Sequence, residues 1–305
     1  MAFLFSIVIY KFVLAYHKKI LYNTNTAMVT KIRKKLFRFF NYKPSYTNIL
    51  VRSFHLMKIS HRVNHNKITL DITYDCNLKC VDCNRSCGQA PSKENISVEQ
   101  IKKFIDESKK KQRKWHEIVV EGGEPTLHPN ILEIIDLLLK FKKHFSPKTI
   151  IRMTTNGYGS VAEKILPKVP EGILIGNTRK KSTMHEHHCI FNIAPIDIEK
   201  YKNARFSKGC FLPSAFGIGL TRYGYYPHAI CGGVDRIFGF DIARKSLPSK
   251  DDSMEDQMDK LCRYCGHFVM FDKEIQQKRE RGEMTLAWEK AYANYRQVKS
   301  AMSLY

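Results

Sequence analysis

Three cysteines with short spacing, Cys76, Cys80 and Cys83, carry the clearest chemistry in this 305-residue chain. They follow residues 68–72, where isoleucine and leucine alternate with polar side chains as in a half-buried strand. We therefore expect the thiols at the carboxyl end of a strand. Clustered thiolates are the ligands of iron–sulfur clusters, and three of them around a four-iron cubane leave one iron free.

Two polar loops follow the next two predicted strands. The sequence EGGEP at residues 121–125 and the sequence TTNG at residues 154–157 each come after a short apolar run. Loops at the carboxyl ends of parallel strands meet at one edge of the sheet, so we expect both loops beside the cysteines. The alternation of strands and helices predicts an α/β protein with parallel pairing, built as a (β/α) barrel or part of one.

Together these motifs resemble the radical SAM superfamily. The spacing Cys76-x3-Cys80-x2-Cys83 is similar to the cluster motif of that family, and residues 122–125 are similar to its GGEP motif. The resemblance implies a partial TIM-like barrel and a [4Fe-4S] cluster whose open iron chelates the amino and carboxylate groups of S-adenosylmethionine (SAM). It also implies that SAM is cleaved to methionine and a 5′-deoxyadenosyl radical, which abstracts hydrogen from a substrate.

The resemblance also assigns SAM-binding roles beyond the cysteines. Gly122 and Gly123 are expected to let the strand-end backbone approach the methionine moiety closely, because no Cβ intervenes. Glu124 is expected to accept from or orient the SAM ammonium, and Pro125 to stiffen the turn. Asn156 is the candidate for the ribose or the carboxylate of SAM.

A zinc site is the alternative for this first cysteine group. Four cysteines in a short loop also suit tetrahedral zinc, and the four are Cys76, Cys80, Cys83 and Cys87. Zinc explains neither the glycine pair nor the position at a strand end, so we favour the iron–sulfur cluster. Asp82 departs from the family, which has an aromatic residue near the adenine just before the third cysteine.

A second group of cysteines lies further along the chain, and it consists of Cys210, Cys231, Cys262 and Cys265. Residues 218–230 are predicted to form a hairpin just before Cys231. Hairpin, cysteine, helix and CxxC together resemble the SPASM or twitch extensions of radical SAM maturases, which implies a second [4Fe-4S] cluster without an open iron. A four-thiolate zinc site and buried core cysteines are the alternatives. The residues expected either to shape the nearby cavity or to support the hairpin are Arg222, Tyr223, Tyr225, Tyr226, Asp235 and Arg236.

Composition indicates a basic globular protein. The net charge is +22, the hydrophobic content is 43%, and there are nine cysteines. With no convincing secretory signal, this number of cysteines favours metal or redox chemistry in a reducing cytoplasm over a disulfide framework. Thirteen basic residues precede the first acidic residue, Asp71. Such an arm is either simply solvated or attracts nucleic acid, an anionic membrane surface, an acidic electron donor or an acidic peptide.

The N-terminal segment is ambiguous. Residues 2–16 are apolar but interrupted by Lys11, and they fall short of the ~20 residues of a spanning helix. We expect either an interfacial anchor or an extension upstream of a start at Met28. Residues 30–40 are predicted to form a short basic amphipathic helix that packs on the domain. The tract from His185 to Cys189 is predicted to be a polar loop near the substrate rather than a metal site.

Local signals place the remaining elements. Ser97 and Gln100 predict a capping box that opens a helix, and Asn130 is predicted to cap the next helix. We expect a short helix at residues 161–165, strands at 172–175 and 191–194, and an amphipathic helix from Trp288 to Met302.

We therefore predict four regions. These are a basic arm (1–66), a radical SAM core (67–200), a small Cys-rich auxiliary-cluster extension (201–270) and a C-terminal helix (271–305). The predicted function is a radical SAM enzyme acting on a peptide or small metabolite, with a flavodoxin or ferredoxin as reductant and peripheral membrane contact through the N-terminus. A non-catalytic iron–sulfur or zinc protein for electron transfer or scaffolding, and an RNA-modifying radical SAM enzyme, are the alternatives, although nucleic acid is the less favoured partner.

Overall fold

The structure is a computed structural model that describes residues 62–184, 190–278, 280, 282–299 and 301–305. The predicted basic helix at residues 30–40 and the tract from His185 to Cys189 lie outside the described residues. So does the N-terminal arm up to residue 61. Among the described residues, no helix combines the length and the apolar character needed to cross a membrane.

A six-stranded sheet organises the described residues. Its strands are β1 Lys67–Asp71, β2 Glu117–Glu121, β3 Ile150–Thr155, β4 Ile173–Asn177, β5 Ile218–Thr221 and β6 Gly224–Tyr226. Their order is β4-β3-β2-β1-β5-β6, and all neighbours pair in parallel except β5 and β6, which are antiparallel. This open, mostly parallel sheet confirms the predicted α/β fold of the partial TIM-barrel type. It brings the carboxyl ends of β1, β2 and β3 to one edge.

Helices cover the sheet. They are α1 Val98–Lys110, α2 Ile131–His144, α3 Ser160–Ile165, α4 Leu212–Phe216, α5 Ala229–Phe238, α6 Glu255–Leu261, α7 Lys273–Lys278 and α8 Leu286–Gln297. The capping box of α1 is confirmed, because Ser97 and Gln100 each accept the other's backbone N–H. Asn130 precedes α2, but its side chain makes no cap bond. Its own N–H donates instead to Nδ1 of His128, at 3.0 Å.

The main core lies between the sheet and the first two crossover helices. Alternate residues of β1 and β2 are fully buried against the apolar faces of α1 and α2, as helical and strand periodicity require. The buried residues at this contact include Ile68, Leu70, Ile118, Val120, Ile101, Phe104, Ile134 and Leu138. Burying each such side chain contributes about 1.5–3 kcal/mol, which keeps the strand ends in fixed positions.

Two predicted elements differ from the structure. The strand predicted at residues 191–194 is wrong, because this segment is an irregular turn in which Phe191 packs on the Trp288 ring at 4.8 Å between centroids. The fifth parallel strand is β5, the first half of the predicted hairpin. The C-terminal helix ends at Gln297 instead of residue 302, and Val298 is 67% exposed.

Candidate functional site

The loop between β1 and α1 carries the first cysteine group. Cys76, Cys80 and Cys83 are half-buried, and Cys87 is buried. Burial, together with the nearby charges of Cys83 and Cys80, raises the pKa of Cys76 to about 12. A hydrogen bond with the Cys87 thiol lowers the pKa of Cys83 to about 6. The loop therefore brings the three predicted ligands together, with Cys87 beside them.

The glycine pair packs on the backbone of this cysteine loop. Gly122 has a φ of 143°, and a Cβ on it would lie 2.4 Å from the carbonyl oxygen of Thr73. A Cβ on Gly123 would lie 2.2 Å from the carbonyl oxygen of Asp75. Hydrogen bonds of 2.8 Å join the Gly123 N–H to Thr73 and the Glu124 N–H to Asp75. The close approach that the glycines permit is therefore to the chain itself, and their contact with SAM stays a prediction.

Glu124 locks the end of β2 to the end of β3. Its side chain is fully buried, and its Oε1 accepts the N–H of Thr126 (3.0 Å) and the hydroxyls of Thr126 (2.7 Å) and Thr155 (2.7 Å). Its Oε2 accepts the backbone N–H of Asn156 at 2.7 Å. All four of these donors belong to the protein, so the observed role of the carboxylate is to hold the loops. The two threonines were not singled out from the sequence, although both lie in or beside the motifs.

Asn156 connects the end of β3 to the cysteine loop. Its Nδ2 donates to Oδ1 of Asn77 at 2.8 Å and lies 4.0 Å from Sγ of Cys76. The Asn77 side chain in turn donates to the carbonyl of Tyr158 at 2.6 Å. The side chain of Asn156 is therefore directed at the predicted cluster ligands. Pro125 starts a short 3-10 turn, Pro125–Leu127, beside these contacts.

An ion-pair network that sequence reasoning missed holds the cysteine loop over the strand ends. The Nε and Nη2 atoms of Arg85 donate to the two carboxylate oxygens of Asp71 at 3.1 and 3.0 Å, and Nη2 also contacts Oε2 of Glu121 at 2.8 Å. Burial raises the pKa of Asp71, and the Arg85 guanidinium opposes that shift. The sequence feature that could have predicted this network is the acidic residue at the last position of both β1 and β2.

Asp82, the residue before the third cysteine, takes part in a buried network. It adopts a left-handed conformation (φ 57°), and its Oδ1 accepts from Nδ2 of Asn192 at 3.2 Å. Oδ1 of Asn192 accepts from the Tyr292 hydroxyl at 2.9 Å, and that hydroxyl contacts Oγ of Ser86 at 2.8 Å. Helix α8 therefore supports the cysteine loop from outside the sheet.

The second cysteine group also converges in space. Cys210, Cys231, Cys262 and Cys265 are all buried. Burial raises the pKa of Cys262 well above its usual value, and the charges of the other three thiols add to that shift. Cys231 lies in the first turn of α5, and Cys262 follows α6. Sγ of Cys265 lies 3.5 Å from Nδ1 of His267.

Both thiol groups fit an iron–sulfur cluster. Within the described ranges, no three His, Cys, Asp or Glu side chains converge closely enough to hold a single metal ion. Thiolates are the usual ligands of iron–sulfur clusters, and in a cubane each ligand sulfur binds a different iron. The thiols of each group are therefore the kind of donor that a [4Fe-4S] cluster takes.

A cavity of about 600 Å³ lies at the opposite edge of the sheet. It is lined by residues at or before the starts of β1, β2 and β3, among them Lys67, Lys114, His116 and Lys148. The cysteine loop follows the carboxyl end of β1, so this cavity is separate from the candidate site.

Comparison with known proteins agrees with the geometry. Residues 70–171 match the family described as the Radical SAM superfamily. The mycofactocin maturase of Mycobacterium tuberculosis is 39% identical over 69 residues, which cover 23% of this chain and 17% of that protein. A putative glycyl-radical enzyme activating enzyme of Methanocaldococcus jannaschii is 38% identical over 104 residues, which cover 34% of this chain and 36% of that protein. The chain thus spans well under half the length of these relatives.

A crystal structure of BtrN in complex with AdoMet and 2-DOIA is also similar. It has a TM-score of 0.39 and 14% sequence identity, and the alignment covers 70% of this chain and 89% of that chain.

Proposed function

We propose that the protein binds a [4Fe-4S] cluster through Cys76, Cys80 and Cys83 and uses SAM to abstract hydrogen from a substrate. The premise is the match of residues 70–171 to the Radical SAM superfamily. The observation that carries the proposal is the convergence of the three motif loops. Asn156, held by Glu124 at the end of β3, directs its amide to within 4.0 Å of Sγ of Cys76.

When bound, the cluster supplies the electron that cleaves SAM. The residues of the chain bind the cluster and orient SAM. The three thiols act as thiolates, which is the form that ligates metal. Asn156 offers a side-chain amide beside them that is able to hydrogen-bond a polar group of SAM. Glu124 and the glycine pair fix the loops that present these groups, and Arg85 holds the cysteine loop to the ends of β1 and β2.

We further propose that Cys210, Cys231, Cys262 and Cys265 hold a second [4Fe-4S] cluster. Their burial and their mutual electrostatic influence support this assignment. Iron analysis of anaerobically reconstituted protein tests it: the wild type should bind about eight irons and Cys210→Ala about four, since each cubane holds four. Zinc in place of iron at the second site would contradict it.

The names of the similar proteins suggest the substrate class. One similar protein is named a maturase, and another is named a putative activating enzyme of a glycyl-radical enzyme, which is itself a protein. We therefore propose a peptide or protein substrate, with a small metabolite as the alternative, and a flavodoxin or ferredoxin as the electron donor. The nine cysteines of the sequence favour metal or redox chemistry over a disulfide framework, and we propose a reducing cytoplasm as the compartment.

The direct test of the function is release of 5′-deoxyadenosine. Reconstituted protein should form it with dithionite and SAM under anaerobic conditions, and Cys83→Ser should not. Cys87→Ser is the matched control, because Cys87 lies in the same loop but is not one of the proposed ligands. Formation of 5′-deoxyadenosine should therefore persist in this variant. A fully iron-loaded wild type that forms none would overturn the proposal, and zinc as the sole metal would favour a structural role.

A further inference from the structure

One buried arginine joins the two cysteine groups. Arg236 lies in α5, the helix that carries Cys231 in its first turn, and its side chain is 1% exposed. Its Nη2 donates to the carbonyls of Arg85 (3.0 Å) and Ala90 (3.2 Å). Its Nη1 donates to the hydroxyl of Tyr295 at 2.9 Å. The guanidinium from the second site therefore grips residues 85–90 of the first cysteine loop.

The backbone of α5 contacts the same loop. A Cβ on Gly233 would lie 3.0 Å from the carbonyl oxygen of Asn84 and 3.4 Å from Cα of Arg85, so only hydrogen fits there without displacement. Asn84 directly follows Cys83, which is a predicted ligand of the first cluster. The contact between the helix and the loop thus reaches the residue next to that ligand.

The contacts of the Arg236 guanidinium fix its orientation. Within the part of the chain that the structure describes, its ion-pair contact is with Glu94, at 3.9 Å, which is longer than a hydrogen bond. The planar group instead stacks over the ring of Tyr74, 4.4 Å from its centroid, and points its donors at carbonyl oxygens. A rigid fork of this kind fixes orientation in a way that a flexible ammonium does not. A shift of α5 would therefore be transmitted to the loop.

We propose that Arg236 is a positioning residue that makes the first cluster depend on the second. Arg236 holds residues 85–90 beside Cys83, and metal binding by Cys231 would fix the helix α5 that carries this arginine. This inference rests on the proposed function and adds a coupling between its two sites. Residues that orient metal ligands typically change metal affinity or activity by about 10–100-fold when mutated.

The test compares Arg236→Lys with Arg113→Lys, the matched control. Arg113 is also a buried arginine, and it lies just before β2, away from the cysteine loop. It donates to the carbonyls of His65 (2.7 Å) and Pro248 (2.8 Å). Both variants keep the positive charge but lose the planar guanidinium and some of its hydrogen-bond donors. With both clusters loaded, Arg236→Lys should change the electron paramagnetic resonance spectrum of the reduced first cluster and weaken SAM binding by about 10-fold. Arg113→Lys should leave both unchanged.

Coupling to the second site is tested by a double-mutant cycle with Cys262→Ser. Cys262→Ser alone should change the spectrum of the first cluster as Arg236→Lys does, and the double variant should add little more. Strictly additive effects would overturn the proposal, as would an unchanged spectrum in Arg236→Lys. If Arg236→Lys fails to fold, Gly233→Ala is the second variant with the same readout, because its Cβ would lie 3.0 Å from the carbonyl oxygen of Asn84 and disturb the contact between α5 and the loop. A wild type without iron would refute the proposed function instead.

Discussion

The glycine pair gives the sharpest prediction about the site. Gly123→Ala places a Cβ 2.2 Å from the carbonyl oxygen of Asp75 and 3.0 Å from Cβ of Cys76. The backbone must shift to relieve this overlap, because neither neighbour at this point is the free end of a flexible side chain. The shift also disturbs the 2.8 Å hydrogen bond from the Glu124 N–H to Asp75.

The magnitude follows from these two effects. Overpacking of a close-packed site costs about 1–3 kcal/mol, and the hydrogen bond contributes about 0.5–1.5 kcal/mol. Gly123→Ala should therefore lower the free energy of unfolding by roughly 1.5–4.5 kcal/mol. Gly176→Ala is the matched control, since it also lies at a strand end and its nearest neighbour would be 3.6 Å from the new Cβ. Neither glycine has a positive φ, so the comparison isolates the steric contact.

Urea denaturation of the metal-free protein under reducing conditions measures the free energy of unfolding of both glycine variants. Metal-free protein matters because the account assigns the glycine to packing within the chain. Gly176→Ala should stay within about 0.5 kcal/mol of the wild type. If Gly123→Ala is equally stable without metal and is impaired only in SAM binding, the packing argument is wrong and the glycine serves the cofactor directly.

Three further predictions concern the loops around the site. Glu124→Gln sets an amide N–H against one of the four donors and should lower the free energy of unfolding in urea by about 1–3 kcal/mol. Glu133→Gln, at an exposed position of α2, should change it by less than about 0.5 kcal/mol, and equal effects would contradict the locking role. Burial lowers the pKa of His128, whose Nδ1 accepts a backbone N–H, so its contribution is intact above its unfolded pKa and is lost as pH falls through the folded value. His128→Gln should therefore flatten the decline in unfolding free energy between about pH 7 and 5.5, by up to about 1.4 kcal/mol per pH unit, and an unchanged pH profile would refute this. Tyr292→Phe removes a hydroxyl that contacts Ser86 and Asn192 and should cost about 1–3 kcal/mol; a neutral result would show that α8 does not support the cysteine loop.

Local patterns predicted the parts of the fold that depend on nearby residues. Alternating apolar residues located β1, β2 and β3, and their order placed three motif loops at one edge. The capping box at Ser97 was also predicted, because a cap depends on residues three positions apart. The same reasoning failed at residues 191–194, where an alternation of apolar side chains is buried in a turn against Trp288. Short apolar runs cannot be assigned from periodicity alone.

The site was only partly predictable, because its contacts join distant parts of the chain. The cysteines and the glycine pair have characteristic spacings, so the sequence identified them. Arg85 bridges Asp71 and Glu121 only because β1 and β2 pair in register, with Asp71 opposite Glu121. Arg236 reaches the cysteine loop only because β5 lies beside β1 and brings α5 with it. Neither relation is contained in a local motif.

The central claim is that the first three cysteines hold a cluster with one open iron to which SAM binds. Titration of the dithionite-reduced, anaerobically reconstituted protein with SAM, followed by electron paramagnetic resonance, tests it most directly. We predict that SAM changes the cluster signal in the wild type and in Cys87→Ser, and that Cys80→Ser lacks this SAM-responsive signal. A fully loaded cluster with a spectrum that does not respond to SAM would contradict the account.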